Sequence, residues 1–194
     1  HQKLTITKRN KDNLDNKLLY KLNDIIELPI KKINKLHGNE NTHQGIILKT
    51  SKLVQPVLKE IINNSNKEKE IIVMLDHVCD PNNIGSIMRS CALFNCKSVI
   101  LAKDSAPDIT PTIAKAASGA LEIVNYVQVT NISRAIEQLK KNNFWAIGLD
   151  SNKNKFQYTF KIPRKCLLIL GSEGAGLRNL KKKKCDEIQT IPMI

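Results

Sequence analysis

Leu167-Leu168-Ile169-Leu170-Gly171-Ser172-Glu173-Gly174-Ala175-Gly176-Leu177 decides the fold. Its first four residues are all apolar, so the strand they form has no polar face and must be covered on both sides, as in a parallel sheet. The strand runs into a loop with three glycines, followed by helix-like spacing over Leu177 to Lys184. The same texture repeats on either side of this stretch. Ile71 to Leu75, Ser98 to Ala102, Tyr126 to Val129, Phe144 to Leu149 and Ile188 to Ile191 are short apolar runs bounded by turn or helix signals. Between them, Asn83 to Phe94, Pro111 to Ala117 and Ile132 to Lys141 carry apolar residues at helical intervals. Alternation of this kind requires crossover connections, which predicts an α/β domain: a mostly parallel sheet with helices on both faces. Ligands bind such sheets just beyond the carboxyl ends of the strands, so the loops after Leu75 and Leu170 are the places to look.

Upstream of Ile71 the texture differs. Lys3 to Leu48 is polar and rich in Lys and Asn, with apolar bursts at Leu4 to Ile6, Ile25 to Ile30 and Gly45 to Leu48. Residues 1–50 therefore read as a small α+β unit, and residues 71–194 as the main domain. Residues 51–70 read as a linker helix, with Leu53, Val57, Leu58, Ile61 and Ile62 at helical spacing, followed by a charged connector. No internal repeat is present. A chain of 194 residues has room for one well-buried α/β domain and a smaller appendage. Because it starts at His1 and stops at Ile194 directly after an apolar run, a longer parent chain is expected.

The formal net charge of +13 attracts polyanions, which puts nucleic acid first among partners and an anionic membrane surface second. No apolar stretch is long enough to span a membrane, and the N-terminal residues lack the apolar core of a signal peptide. The five cysteines, Cys79, Cys91, Cys96, Cys166 and Cys185, are scattered without a C-x-x-C pair, which suggests neither a zinc site nor a disulfide framework. A soluble protein of a reducing cytoplasm, with no metal and no membrane partner, is the expectation.

The loop after the first strand reads Leu75-Asp76-His77-Val78-Cys79-Asp80-Pro81-Asn82-Asn83-Ile84-Gly85-Ser86-Ile87-Met88-Arg89. Pro81 stops the strand ladder, and Asn82 or Asn83 can cap a following helix. Gly85 in the first helical turn costs about 1 kcal/mol relative to alanine, which implies that something approaches the backbone there. Arg89 lies one turn further on the same face, and a charged fork above open backbone suits a phosphate or another anion. The plainer alternative is a capped strand-to-helix turn. In the second loop the glycines fall as G-x-x-G-x-G, which is neither the dinucleotide fingerprint G-x-G-x-x-G nor a P-loop. Glu173 at its centre would repel a pyrophosphate but could hold a cation, a hydroxyl or an arginine. A cofactor with a positive sulfonium and no phosphates fits this loop better, and a tight turn without a ligand is the alternative. The last run, Ile188 to Ile194, reads as a core strand ended by Pro192.

Together the three segments resemble the motifs of the SpoU/TrmH family of the SPOUT superfamily. Asp80, Pro81, Asn83, Gly85 and Arg89 match its D-P-x-N-x-G-x-x-x-R, and Leu170, Gly171, Glu173, Gly174 and Gly176 match its L-G-x-E-G-x-G. Ile191, Pro192 and Met193 match the I-P-M that begins the third. His43-Gln44-Gly45-Ile46 resembles the H-Q-G-[IV] closing a small substrate-binding domain, and Lys115 to Glu122 resembles the K-x-x-x-G-A-x-E of the same branch, which methylates a guanosine ribose in large-subunit ribosomal RNA.

The resemblance implies a C-terminal trefoil knot, S-adenosylmethionine as cofactor, RNA as substrate and a homodimer. It implies a reaction centre of Asn83, Arg89 and Glu173, and cofactor contacts from Leu170, Gly171, Gly176, Ile191 and Met193. RNA contacts are expected from His43, Gln44, Arg89, Lys181 and Lys182. A transfer-RNA ribose methyltransferase, a non-catalytic RNA-binding protein of the same fold and an unrelated nucleotide-binding α/β protein remain as alternatives.

Overall fold

The computed structural model describes residues 2–22, 24–37, 43–65, 68–150, 161–174 and 176–190. It divides into two units, His1–Val54 and Gln55–Ile194. In the first, β1 (Lys3–Ile6) is the middle strand of three. It pairs in parallel with β2 (Asp24–Glu27) and antiparallel with β3 (Ile46–Lys49). Two short helices, α1 (Lys8–Asp12) and α2 (Asn16–Leu19), lie between β1 and β2, and α3 (Ile30–His37) lies between β2 and β3. Leu4, Ile6 and Ile33 are buried and supply its apolar centre.

The second unit starts with α4 (Leu58–Asn63) and is built on six parallel strands: β4 (Glu70–Leu75), β5 (Ser98–Ala102), β6 (Asn125–Val129), β7 (Trp145–Asp150), β8 (Lys165–Leu170) and β9 (Glu187–Thr190). Their order in space is β6-β5-β4-β8-β7-β9. The helices are α5 (Pro81–Leu93), α6 (Pro111–Ala117), α7 (Ile132–Lys141) and α8 (Asn179–Lys182), with a 3₁₀ turn at Ala120–Glu122.

Strand alternation splits the apolar residues between two cores. Ile72, Met74, Ile100, Leu167 and Ile169 pack with Ile132, Ile136 and Leu139 of α7. Val73, Leu75, Val99 and Leu101 pack on the other face with Ile84 and Met88 of α5 and Ile113 of α6. This double cover is why the strands read as unbroken apolar runs; every residue of β5 is buried.

Three elements depart from the sequence expectation. The helix expected from Ser51 begins only at Leu58, because Pro56 keeps the preceding residue out of the helical conformation. The Gln55 side chain instead accepts the Tyr126 N–H at 2.8 Å, satisfying the edge of β6. Leu58 and Ile61 join the sheet core, so α4 belongs to the larger unit rather than to a linker. The helix α5 is capped by Asp80, not by Asn82 or Asn83. The Asp80 carboxylate accepts the Asn82 N–H at 3.0 Å, and Pro81 takes the first helical position, where a missing N–H costs nothing. The helix expected over Leu177 to Lys184 shrinks to α8, because Leu177 turns inward and is only 1% exposed. The chain crossing implied by the expected knot involves Ile191 to Ile194, which lie outside the described residues.

Candidate active site at the carboxyl ends of β4 and β8

The chain leaves β4 toward β5 and β6 on one side and later fills β7, β8 and β9 on the other. The connections thus diverge between β4 and β8, which opens a crevice beyond their carboxyl ends. In register, Leu75 faces Leu170, so the two motif loops start side by side. The Asp76 N–H donates to the Leu170 carbonyl at 2.8 Å and ties them together. That carbonyl is therefore committed to the protein, and Leu170 meets any ligand through its side chain.

The second loop closes on itself. A Cβ placed on Gly171 would lie 2.1 Å from the Gly176 carbonyl carbon and 2.3 Å from the Leu177 nitrogen, so only glycine fits. The Gly176 N–H donates to the Ser172 carbonyl at 2.9 Å and locks the loop, with Glu173 exposed at its tip. There Asn83 Nδ2 donates to Glu173 Oε2 at 3.4 Å, joining the first turn of α5 to the glycine loop. A carboxylate beside a helix N-terminus is favourably placed.

Arg89 stands exposed on α5. No ion pair among the described residues engages it. The expectation for Gly85 is corrected. Its backbone is approached not by an anion but by α6: a Cβ there would come within 2.5 Å of the Ala116 Cβ and 2.8 Å of the Ile113 carbonyl. Gly85 lets two helices touch, so the backbone there is covered rather than open, while Arg89 one turn further on is exposed.

Asp76, the residue after β4, and Asp150, the last of β7, are two residues that sequence reasoning did not single out. Asp76 is 1% exposed, and among the described residues neither of its carboxylate oxygens has a hydrogen-bond partner. His77 Nε2 stands 3.9 Å away, on a residue with φ of 61°. Asp150 pairs with Lys182 Nζ at 2.5 Å and lies 3.4 Å from where a Gly176 Cβ would be. The available signal was an aspartate closing an apolar strand, Leu75-Asp76 and Leu149-Asp150, where ligands of parallel sheets gather.

Among the residues expected to touch RNA, Lys182 spends its charge on Asp150. Lys181 is half-buried, and its carbonyl accepts from Cys185 Sγ at 3.3 Å. In the first unit His43 and Gln44 build a turn. His43 Nδ1 accepts the Gly45 N–H at 3.0 Å, and the Gln44 carbonyl accepts from Asn10 Nδ2 at 2.7 Å. Gln44 also lines a cavity of about 700 Å³ together with Lys8, Arg9 and Asn10. The expected cofactor contacts Ile191 and Met193 lie outside the described residues. Among the described residues no cluster of three or more His, Cys, Asp or Glu could hold a metal, and no helix is long and apolar enough to cross a membrane.

Fold and site together define a parallel α/β protein in which two motif loops, one of them closed by glycines, meet at the carboxyl ends of β4 and β8. Residues 70–194 match the model of the SpoU rRNA Methylase family. The 23S rRNA (guanosine-2'-O-)-methyltransferase RlmB of Coxiella burnetii is 35% identical over 172 residues, covering 87% of this chain and 68% of that one. Its counterpart in Haemophilus influenzae is 32% identical over 179 residues, covering 90% and 72%. In fold, the SpoU methyltransferase AviRb from Streptomyces viridochromogenes, solved in complex with AdoMet, superposes with a TM-score of 0.78 at 21% identity, over 99% of this chain and 74% of that one. The chain belongs to the SpoU rRNA methylase family.

Proposed function

We propose that this protein methylates a ribose 2′-hydroxyl of RNA, a guanosine of 23S ribosomal RNA, with S-adenosylmethionine as donor. The observation that carries this reading is the Asn83–Glu173 hydrogen bond. It joins residues 90 positions apart, one from each motif, at the crevice between β4 and β8.

The donor set suits a cationic cofactor. A glycine loop with Glu173 exposed at its tip disfavours phosphates and favours a positive sulfonium. When bound, S-adenosylmethionine supplies an electrophilic methyl group, and the reaction needs no metal. The Gly171 backbone and the Leu170 side chain would hold the cofactor. The remaining task of the chain is to bring the ribose oxygen into line and to stabilise it as its proton leaves.

A guanidinium does not surrender its proton at neutral pH, so Arg89 acts as an anion binder rather than as the base. It holds the phosphate beside the target ribose and stabilises the developing oxyanion, while Asn83 and Glu173 orient the hydroxyl. Gln44, Lys8 and Arg9 in the first unit offer a polar, cationic concavity to the RNA backbone. A homodimer in the cytoplasm completes the reading. Support for the dimer is the exposed apolar end of α5, where Leu93 and Phe94 are 80% and 76% exposed. Support for a reducing compartment is the five free thiols.

Labelled methyl transfer from S-adenosylmethionine to a 23S ribosomal RNA fragment, with transfer RNA in parallel, is the test. The expected product resists alkaline cleavage at one guanosine. Absence of cofactor binding by calorimetry would replace the enzyme with an RNA-binding protein of the same fold.

A further inference from the structure

The far end of α5 brings together two side chains that methyl transfer does not use. The Asn95 N–H donates to the Ala92 carbonyl at 3.3 Å, and the Cys96 N–H donates to the Cys91 carbonyl at 2.8 Å. Asn95, with φ of 57°, sits in the left-handed region between them. These crossed bonds form a Schellman turn, which packs the residue three places before the helix cap against the residue two places past it. In most helices that contact is between two apolar residues. Here it is between Cys91 and Cys96.

Both thiols are buried, and both line an apolar groove of about 570 Å³ between α5 and the sheet. The Cys96 Sγ donates to the Phe94 carbonyl at 4.0 Å, and the two sulfurs are near enough to shift each other's titration. Their proximity lowers Cys96 to about 7, while the same proximity and then burial push Cys91 up. Of the two, Cys96 is the one shifted toward the thiolate and Cys91 the one shifted toward the thiol. Cys166 of β8 lines the same groove, but burial holds it up at about 11, so it stays a thiol.

We propose that Cys91 and Cys96 form a dithiol modification site for hydroperoxides, oxidised reversibly to a disulfide across the end of α5. The Cys96-to-Cys91 backbone bond keeps the two α-carbons within the span of about 4.4–6.8 Å that a disulfide requires. In the first step the Cys96 thiolate attacks a peroxide oxygen; an S–O bond forms, the O–O bond breaks and the alcohol, or water, departs. In the second the Cys91 sulfur attacks the Cys96 sulfur. The S–S bond forms, the S–O bond breaks, and the hydroxyl leaves as water with the Cys91 proton. Two thiols and one hydroperoxide thus give one disulfide, one alcohol and one water. Thiols restore the pair by exchange. Methyl transfer uses neither thiol, although Leu170 of the second motif lines the same groove.

The full-length chain, reduced and then treated with hydrogen peroxide, is alkylated after unfolding and digested with trypsin. Cleavage after Arg89 and Lys97 isolates both cysteines in one peptide, Ser90 to Lys97. The expected peptide is two hydrogens lighter and unalkylated, while Cys166 and Cys185 take the alkylating agent. In a glutathione buffer the disulfide should be favoured in the folded chain about tenfold or more over the same free peptide, because the turn has already closed the loop. A Cys91→Ala variant, checked for an unchanged thermal midpoint, should divert Cys96 to a glutathione adduct. Full alkylation of the Ser90–Lys97 peptide, a disulfide no more stable than in the free peptide, or an undiverted Cys96 in the variant would each overturn the proposal.

Discussion

Alanine at Gly171 places a methyl group 2.1 Å from the Gly176 carbonyl carbon, 2.2 Å from its oxygen and 2.3 Å from the Leu177 nitrogen. All three are backbone atoms, so no side chain can swing away. Ordinary contact starts near 3.4 Å, so the returning arm of the loop must retreat by about 1.3 Å. It is anchored by Leu177, 1% exposed, whose Cδ2 already lies 2.7 Å from where a Gly148 Cβ would be. Overpacking of this kind costs about 1–3 kcal/mol, and partial loss of the leucine anchor adds to it, so about 3 kcal/mol is expected. In a chain of this length that lowers the thermal midpoint by roughly 6–12 °C. A shift of about 1 Å at a reacting centre costs on the order of a hundredfold, so S-adenosylmethionine affinity and turnover should fall together. Gly174→Ala is the control. It faces open space at φ of 84°, and its cost is confined to the left-handed backbone, about 1–2 kcal/mol. Differential scanning calorimetry and isothermal titration on both variants provide the readouts. A Gly171→Ala protein with unchanged melting and affinity, or a Gly174→Ala protein that suffers more, would refute the close-approach argument.

Arg89→Lys keeps the charge but removes the fork; a fall in turnover of about tenfold to a hundredfold is expected, with cofactor affinity unchanged by calorimetry. Near-normal turnover with unchanged RNA affinity would remove the anion-fork role. Gly85→Ala drives a methyl into Ala116 and the Ile113 carbonyl, so about 2–3 kcal/mol of stability should be lost by urea unfolding, and a neutral result would mean that α5 and α6 are not in contact as described. Tyr126 is pushed up to about 12, by burial first and by Asp108 second, and its hydroxyl donates to the Pro107 carbonyl at 2.6 Å. The folded state holds this proton more tightly than the unfolded state. Its contribution is therefore complete below about pH 10 and is lost as pH rises through 12, about 3 kcal/mol in all. Tyr126→Phe should flatten that alkaline limb in a pH series of melts, and an identical limb in both proteins would assign the loss to another group.

The sheet was legible because its strands are buried on both faces. Runs such as Ser98 to Ala102 carry no polar residue past the first, and nothing but a parallel sheet satisfies them. Helix boundaries were less legible because they depend on single residues with two uses. Asp80 could have been part of a loop, but Pro81 needs a helix to start after it, and the carboxylate then becomes the cap. Leu177 fits a helical pattern, yet filling the space above Gly148 stabilises it more than extending α8 would. Gly85 was read correctly as a point of close approach and wrongly as a ligand contact, because no local pattern reveals that α6 returns against α5. In the site, the family resemblance implied a centre that includes Asn83 and Glu173, and the structure joins these two. The commitment of Lys182 to Asp150 could not be read, since it depends on α8 passing the end of β7.

The distribution of charge gives the proposed reaction a division of labour. The chain as a whole carries +13, yet carboxylates stand at the strand ends: Asp76, buried just after β4, Asp150 at the end of β7, paired with Lys182, and Glu173, exposed on the loop after β8. A net positive field draws in the RNA backbone over a distance of about a Debye length, some 8–10 Å, without reference to sequence. At the glycine loop the exposed Glu173 carboxylate supplies a local negative charge, which disfavours a phosphate and favours a sulfonium. Arg89 is the exception that makes this arrangement usable. It is a fixed positive charge on the same helix as Asn83, whose partner is Glu173, and it can hold one phosphate near an otherwise acidic site. A ribose lies between two phosphates along an RNA strand, so fixing one of them at Arg89 presents the adjacent hydroxyl to the loop that holds the methyl donor. Neutralising Arg89 would then leave overall RNA attraction nearly intact while removing the local anchor, which separates binding from turnover in a way that surface lysines cannot.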